Sequence, residues 1–93
     1  VLRQFIGDGE RRLAELRDVS SCNDQRAFLK IVHALKGSAA TVGVDSITKM
    51  CVEAEQRSED LDRPTMANYV VRLSRVFQGA CAELQLYLER TRH

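Results

Sequence analysis

The sequence predicts an all-α protein, an antiparallel up-and-down four-helix bundle, on three observations. Apolar residues recur at three- and four-residue spacing along four blocks of the chain. The blocks are separated by short polar or glycine-bearing segments, which fold consecutive helices back on one another. Of the 93 residues, 44% are hydrophobic but only 5% aromatic, and one is proline, a mixture that suits helices packed through Leu, Val, Ile and Ala.

The first helix is expected over about residues 2–19, where Leu2, Phe5, Ile6, Leu13 and Leu16 keep helical spacing. Gly7 and Gly9 weaken it, so a bend or fraying is expected there. Glu10, Arg11, Arg12 and Glu15 form its solvated face. Ser20-Ser21-Cys22-Asn23 breaks the pattern, with Asn23 the favoured N-cap of the next helix and Asp24 beside the positive end of its dipole.

The second helix spans about 24–42. With Phe28 at zero on a helical wheel, Val32, Leu35, Ala39 and Val42 fall within about 40° of it, one apolar stripe that must face the core. Gly43 stands where a left-handed residue ends such a helix. Asp45 is then the cap of a third helix over about 46–57, whose apolar side is Ile47, Met50, Cys51 and Ala54. The short Gly43-Val44 link turns this helix antiparallel to the second. A polar loop follows, and Pro64 suits the first turn of a fourth helix over about 64–91. Its stripe runs from Met66 through Tyr69, Val70, Leu73, Val76, Phe77, Ala80, Leu84, Tyr87 and Leu88, and its last turns are expected to project beyond the bundle. The whole reads as one domain over 1–93.

Several function classes are disfavoured. A net charge of +1 gives no general basic field for nucleic acid. No run of about 18 apolar residues is present to span a membrane, and no signal-peptide pattern is visible. Cys22, Cys51 and Cys81 are odd in number and lack a Cys-x-x-Cys pair, so neither a zinc site nor a disulfide framework is expected, but free thiols in a reducing cytoplasm. There is no glycine-rich phosphate loop, and too little chain for a kinase catalytic domain. The chain opens at Val1 without an initiator methionine, so a segment of a longer protein is expected.

The chemistry centres on His33, the only histidine besides the terminal His93. On the same wheel His33 falls at about 140°, Gly37 at about 180° and Ala40 at about 120°, all away from the stripe. A surface or packed histidine of no special role is the plain alternative. Two neighbours weigh against it. Glycine inside a helix costs about 1 kcal/mol relative to alanine, and Gly37 one turn on leaves bare backbone beside the imidazole. Lys36 can bring an ammonium to an anion on the ring, its alternative being a plain surface lysine. An exposed imidazole, a nearby cation and a cleared surface together suit a phosphohistidine.

The run His33-Ala34-Leu35-Lys36-Gly37-Ser38, with Gly43 ten residues after the histidine, resembles the signature of histidine phosphotransfer (HPt) domains, the four-helix modules of multistep phosphorelays. Cys51-Val52-Glu53-Ala54-Glu55 is similar to that family's Cys-x-x-hydrophobic-Glu pattern, although Ala54 is small where a leucine or isoleucine is usual. As a pattern of helices the resemblance covers essentially the whole chain.

The resemblance implies that His33 takes a phosphoryl group from a receiver-domain aspartate and passes it to another. An exposed imidazole, with a reference pKa of about 6.5, is mostly neutral in the cytoplasm and can act as the nucleophile. Lys36 is then the candidate for phosphoryl charge and Gly37 for clearance. Ser38 matches the motif, with a hydrogen bond inside the helix and a phosphate contact both open. Glu55, 22 residues after His33, stands where the family often places a Gln or Glu against the other ring nitrogen, with Gln56 the candidate if the helix is slightly rotated. Leu29 and Ala40 are candidates for an apolar rim on which receivers dock, although Leu29 also has the option of tucking toward the first helix; Lys30 is grouped with them as a binding residue.

No cofactor or metal is expected in this chain, the Mg²⁺ being the receiver's. The expected setting is the C-terminal HPt domain of a bacterial hybrid sensor histidine kinase, monomeric and cytoplasmic, including the cytoplasmic tail of an inner-membrane sensor. Two alternatives stay open: the phosphoacceptor domain of a chemotaxis-type kinase, and a helical docking module whose histidine is incidental. A dimerising kinase hairpin is disfavoured, because those place an acidic residue after the histidine and this chain has Ala34.

Overall fold

A computed structural model describes residues 2–90, with side chains from residue 3 onward. Four helices follow in order: α1 (Leu2–Ser21), α2 (Gln25–Val42), α3 (Asp45–Gln56) and α4 (Arg63–Arg90). Among the described residues there is no strand. Each helix packs on its neighbour in sequence, and α4 returns to α1, closing an antiparallel up-and-down bundle.

The core is the set of stripes read along the sequence. Leu13 and Leu16 from α1, Phe28, Val32 and Leu35 from α2, Ile47 and Cys51 from α3, and Met66, Tyr69 and Leu73 from α4 are all buried. Leu61, from the loop before α4, is buried with them. Each large apolar side chain so buried stabilises the fold by about 1.5–3 kcal/mol before ordering costs are set against it.

α1 differs from expectation in running two residues further and in passing unbroken through Gly7 and Gly9. The reason at position 9 is packing: a Cβ there would run into the ring of Phe77, so the glycine lets α4 approach α1 closely. The Phe77 ring in turn stacks tilted on Phe5, centroids 5.7 Å apart. On the solvated face, Asp8 takes both Arg11 and Arg12, the latter at 2.7 Å, and is held below the usual carboxylate range by Arg12 first.

The caps also depart from expectation. The N-cap of α2 is Asp24, whose carboxylate accepts from the Ala27 amide at 3.1 Å, and not Asn23. Because α1 continues to Ser21, Asn23 is consumed in reversing the chain, at a left-handed φ of 56° that asparagine tolerates. α3 starts at Asp45 itself and has no side-chain cap; Asp45 lies in the first turn, where its charge meets the positive helix end. Asp62, which the sequence reading passed over, accepts from the Thr65 amide at 2.9 Å and caps α4 ahead of Pro64.

Along α4 burial ends before the apolar spacing does. Phe77 is buried, Val76, Ala80 and Leu84 are half-buried, and Tyr87 is exposed. The cause is length: α4 has 28 residues against 18 in α2 and 12 in α3, so its last turns have less of the bundle beside them, with Gln85 and Leu88 next to Arg3 and Ile6 of α1, and Leu84 and Tyr87 next to the turn at residues 42–46. The end expected at residue 91 and the terminal His93 lie outside the described residues.

Candidate functional site

The orientation of α2 places the histidine. Phe28, Val32, Leu35 and Ala39 turn inward and are essentially inaccessible. His33 therefore points outward, its side chain 70% exposed.

The turn after α2 brings a carboxylate to it. Gly43 is left-handed at φ 78°, its amide bonding to the Ala40 carbonyl at 3.2 Å while the Val44 amide bonds to that of Ala39 at 2.9 Å. This paired closure satisfies the last carbonyls of α2 and sends α3 back along it. Glu55, near the end of α3, thus returns to the level of His33. Its Oε2 lies 3.2 Å from His33 Nδ1, and its Oε1 lies 2.7 Å from Lys36 Nζ. The second contact is an ion pair. The ammonium of Lys36 foremost, with the His33 ring adding to it, holds the Glu55 carboxyl below its usual range against partial burial.

A carboxylate at Nδ1 sets the tautomer. Glu55 can only accept when ionised, so the proton belongs on Nδ1 and the lone pair on Nε2, the nitrogen left to solvent. Beside the ring, a Cβ on Gly37 would meet nothing within 4 Å. The Gly37 carbonyl is taken by Thr41 Oγ1 at 2.9 Å, a bond the sequence reading missed although a threonine four residues on is its signal. Ala40, two turns from His33, is exposed.

The remaining candidates separate. Leu29 is half-buried against the core and also lines a shallow depression with Lys30, His33, Gln25, Arg26 and Ser58. Gln56 is exposed at the last residue of α3, about 100° round the helix from Glu55. Ser38 lines the groove between α1 and α2 with Gln4, Phe5 and Asp8, on another side of the bundle from His33. Five residues along a helix amount to about 140° of rotation, which takes it away from the ring. Cys51, one turn before Glu55, is fully buried; burial, with Glu55 adding to it, pushes its thiol up to about 12. Val52, three residues before Glu55 on α3, is 37% exposed and adds an apolar side chain to this side of α3.

Among the described residues no group of three or more His, Cys, Asp or Glu gathers to hold a metal ion, and no helix is long and apolar enough to cross a membrane.

A helical bundle that holds one imidazole in solvent and orients it from a neighbouring helix has the form of a phosphocarrier domain. The sequence profile of the Hpt domain matches residues 1–93, and the chain belongs to that family, the histidine phosphotransfer modules of phosphorelay signalling. Hpt domains carry phosphoryl groups without being kinases, and they work with the receiver domains of response regulators. No curated protein and no solved structure is a significant match to the chain.

Proposed function

We propose that His33 is the phosphoacceptor and that it reacts through Nε2. The observation that carries this reading is the exposed ring with Nδ1 held 3.2 Å from the Glu55 carboxylate. The Nε2 lone pair attacks the phosphorus of a receiver's aspartyl phosphate. The N–P bond forms as the acyl P–O bond breaks, and the aspartate leaves as a carboxylate. The Nδ1 proton stays on the ring, now cationic and facing Glu55. Lys36, three residues along α2, is placed to turn its ammonium to the phosphoryl oxygens. Gly37 leaves room for the incoming surface, and Leu29, Lys30 and Ala40 flank it. Ser38 and Gln56 take no part, because neither lies beside the ring. The receiver contributes the Mg²⁺ of the transfer.

The same chemistry run backward delivers the group to a second receiver. A place within a hybrid sensor histidine kinase, in the cytoplasm and as a monomer, fits a carrier that works between two receivers, has three free thiols and closes its core with its own helices.

The test is transfer from a phosphorylated receiver to the wild type and to His33→Gln. Acid-labile, base-stable phosphate on the wild type alone is the expected result; equal labelling of both overturns the reading.

A further inference from the structure

The exposed face of α2 is electrically lopsided about His33. Toward the N-terminus it carries Arg26 and Lys30, and toward the C-terminus Gly37 and Ala40. Some other cations of the bundle have carboxylate partners, Arg11 and Arg12 on Asp8, Lys36 on Glu55 and Arg72 on Glu53, whereas Lys49, Arg63 and Arg75 form no ion pair among the described residues. Arg26 and Lys30 form no ion pair or side-chain hydrogen bond among the described residues. Both are exposed, and both line the same depression as His33. With a net charge of +1 on the chain, this local positive field is not a property of the molecule as a whole.

Two segments of the bundle line the depression. Leu29 gives it an apolar floor, and Ser58, from the loop between α3 and α4, stands across from α2. The Gln25 side-chain amide donates to the Leu61 carbonyl and ties that loop to the start of α2. Its volume of about 540 Å³ takes several side chains. Arg26 is two turns from His33, about 10 Å along the axis, too far to serve a phosphoryl group on the ring. Its charge is available only to something larger that covers His33 and reaches further along α2.

We propose that this depression seats an acidic segment of the receiver, two or more carboxylates beside an apolar side chain, and that Arg26 and Lys30 select partners by charge. The proposal rests on His33 being the acceptor, and it sets the polarity of docking. The partner's carboxylates lie over the N-terminal half of α2, and its uncharged surface lies over Gly37 and Ala40. Cations at the edge of an interface act mainly on the rate of encounter, so the effect is salt-dependent.

The experiment compares two donors. Phosphoramidate, a small molecule, labels an accessible histidine without docking; receiver domains charged with acetyl phosphate must dock. The variants are Arg26→Glu/Lys30→Glu, the milder Arg26→Gln/Lys30→Gln, and Arg75→Glu as a control on the exposed side of α4. Helical circular dichroism and thermal melts are expected to match the wild type in all of them, which shows that they fold, and phosphoramidate is expected to label His33 in each. Transfer from receivers is expected to fall about tenfold at low salt in the charge reversal, less in the neutral pair, and not at all in the control. Added salt is expected to slow the wild type, to speed the reversal and to leave the neutral pair nearly unchanged. Wild-type transfer rates in the double reversal, or equal slowing by Arg75→Glu, overturn the proposal. Failure of phosphoramidate to label His33 in the wild type brings down the acceptor reading instead.

Discussion

His33 Nδ1 and Glu55 Oε2 lie 3.2 Å apart across two antiparallel helices, and the other oxygen of the same carboxylate holds Lys36 at 2.7 Å. One side chain from α3 thus orients the ring and parks the cation. Glu55→Ala removes both effects. The expected outcome is a mixed His33 tautomer in ¹⁵N NMR, where the wild type shows the proton on Nδ1, with phosphotransfer slowed about tenfold or more. Glu55→Gln, which keeps an accepting oxygen, is expected to fall between them. An unchanged tautomer in Glu55→Ala would remove the orienting role.

Two glycines should respond oppositely to alanine. At Gly37 a methyl group meets open space, so Gly37→Ala is expected to gain up to about 1 kcal/mol of stability from helix propensity while slowing transfer from a receiver. At Gly9 the methyl collides with Phe77, and Gly9→Ala is expected to lose about 1–3 kcal/mol despite the same propensity gain. Thermal melts of both variants, with one transfer assay on Gly37→Ala, check the pair.

Acid should weaken the fold over a defined range. Asp8, Glu55 and Asp62 each have a carboxyl lowered in the folded state, by Arg12, Lys36 and Thr65 respectively as leading causes. The unfolded chain therefore binds more protons than the folded one between the two values. Their contribution is complete above the ordinary values of 3.8 for Asp and 4.5 for Glu, and is lost as pH falls through the lowered ones. Urea melts between neutral pH and pH 3 should show stability falling on the acid side, with a shallower fall in Glu55→Gln.

The thiols should differ in reactivity. Cys22 is exposed, whereas Cys51 is buried with its thiol pushed up to about 12. Iodoacetamide is expected to modify Cys22 first and Cys51 only at the rate of global unfolding. Mass spectrometry of the time course reads the order directly.

The four helices were legible because each carries an apolar stripe of period 3.6, and the stripe on α2 was enough to send His33 outward. That argument concerns one helix at a time and needs no partner. The small errors fell where two signals compete over adjacent residues, as at Asn23 and Asp24. Either can cap, and the length of α1 decided which one was used up in the turn.

What periodicity alone determined was the set of faces: which side of each helix is buried, and that the imidazole, Lys36 and Gly37 stand away from the core. Contacts between helices were decided only by the tertiary structure. Glu55 and Gln56 were equal candidates in sequence, because choosing between them requires the rotation of α3 against α2, which the turn at Gly43 and the packing of Cys51 and Ala54 set. The meaning of Gly9 likewise waited on Phe77, 68 positions away in the chain, since a glycine that weakens an isolated helix is the residue that lets two helices close together.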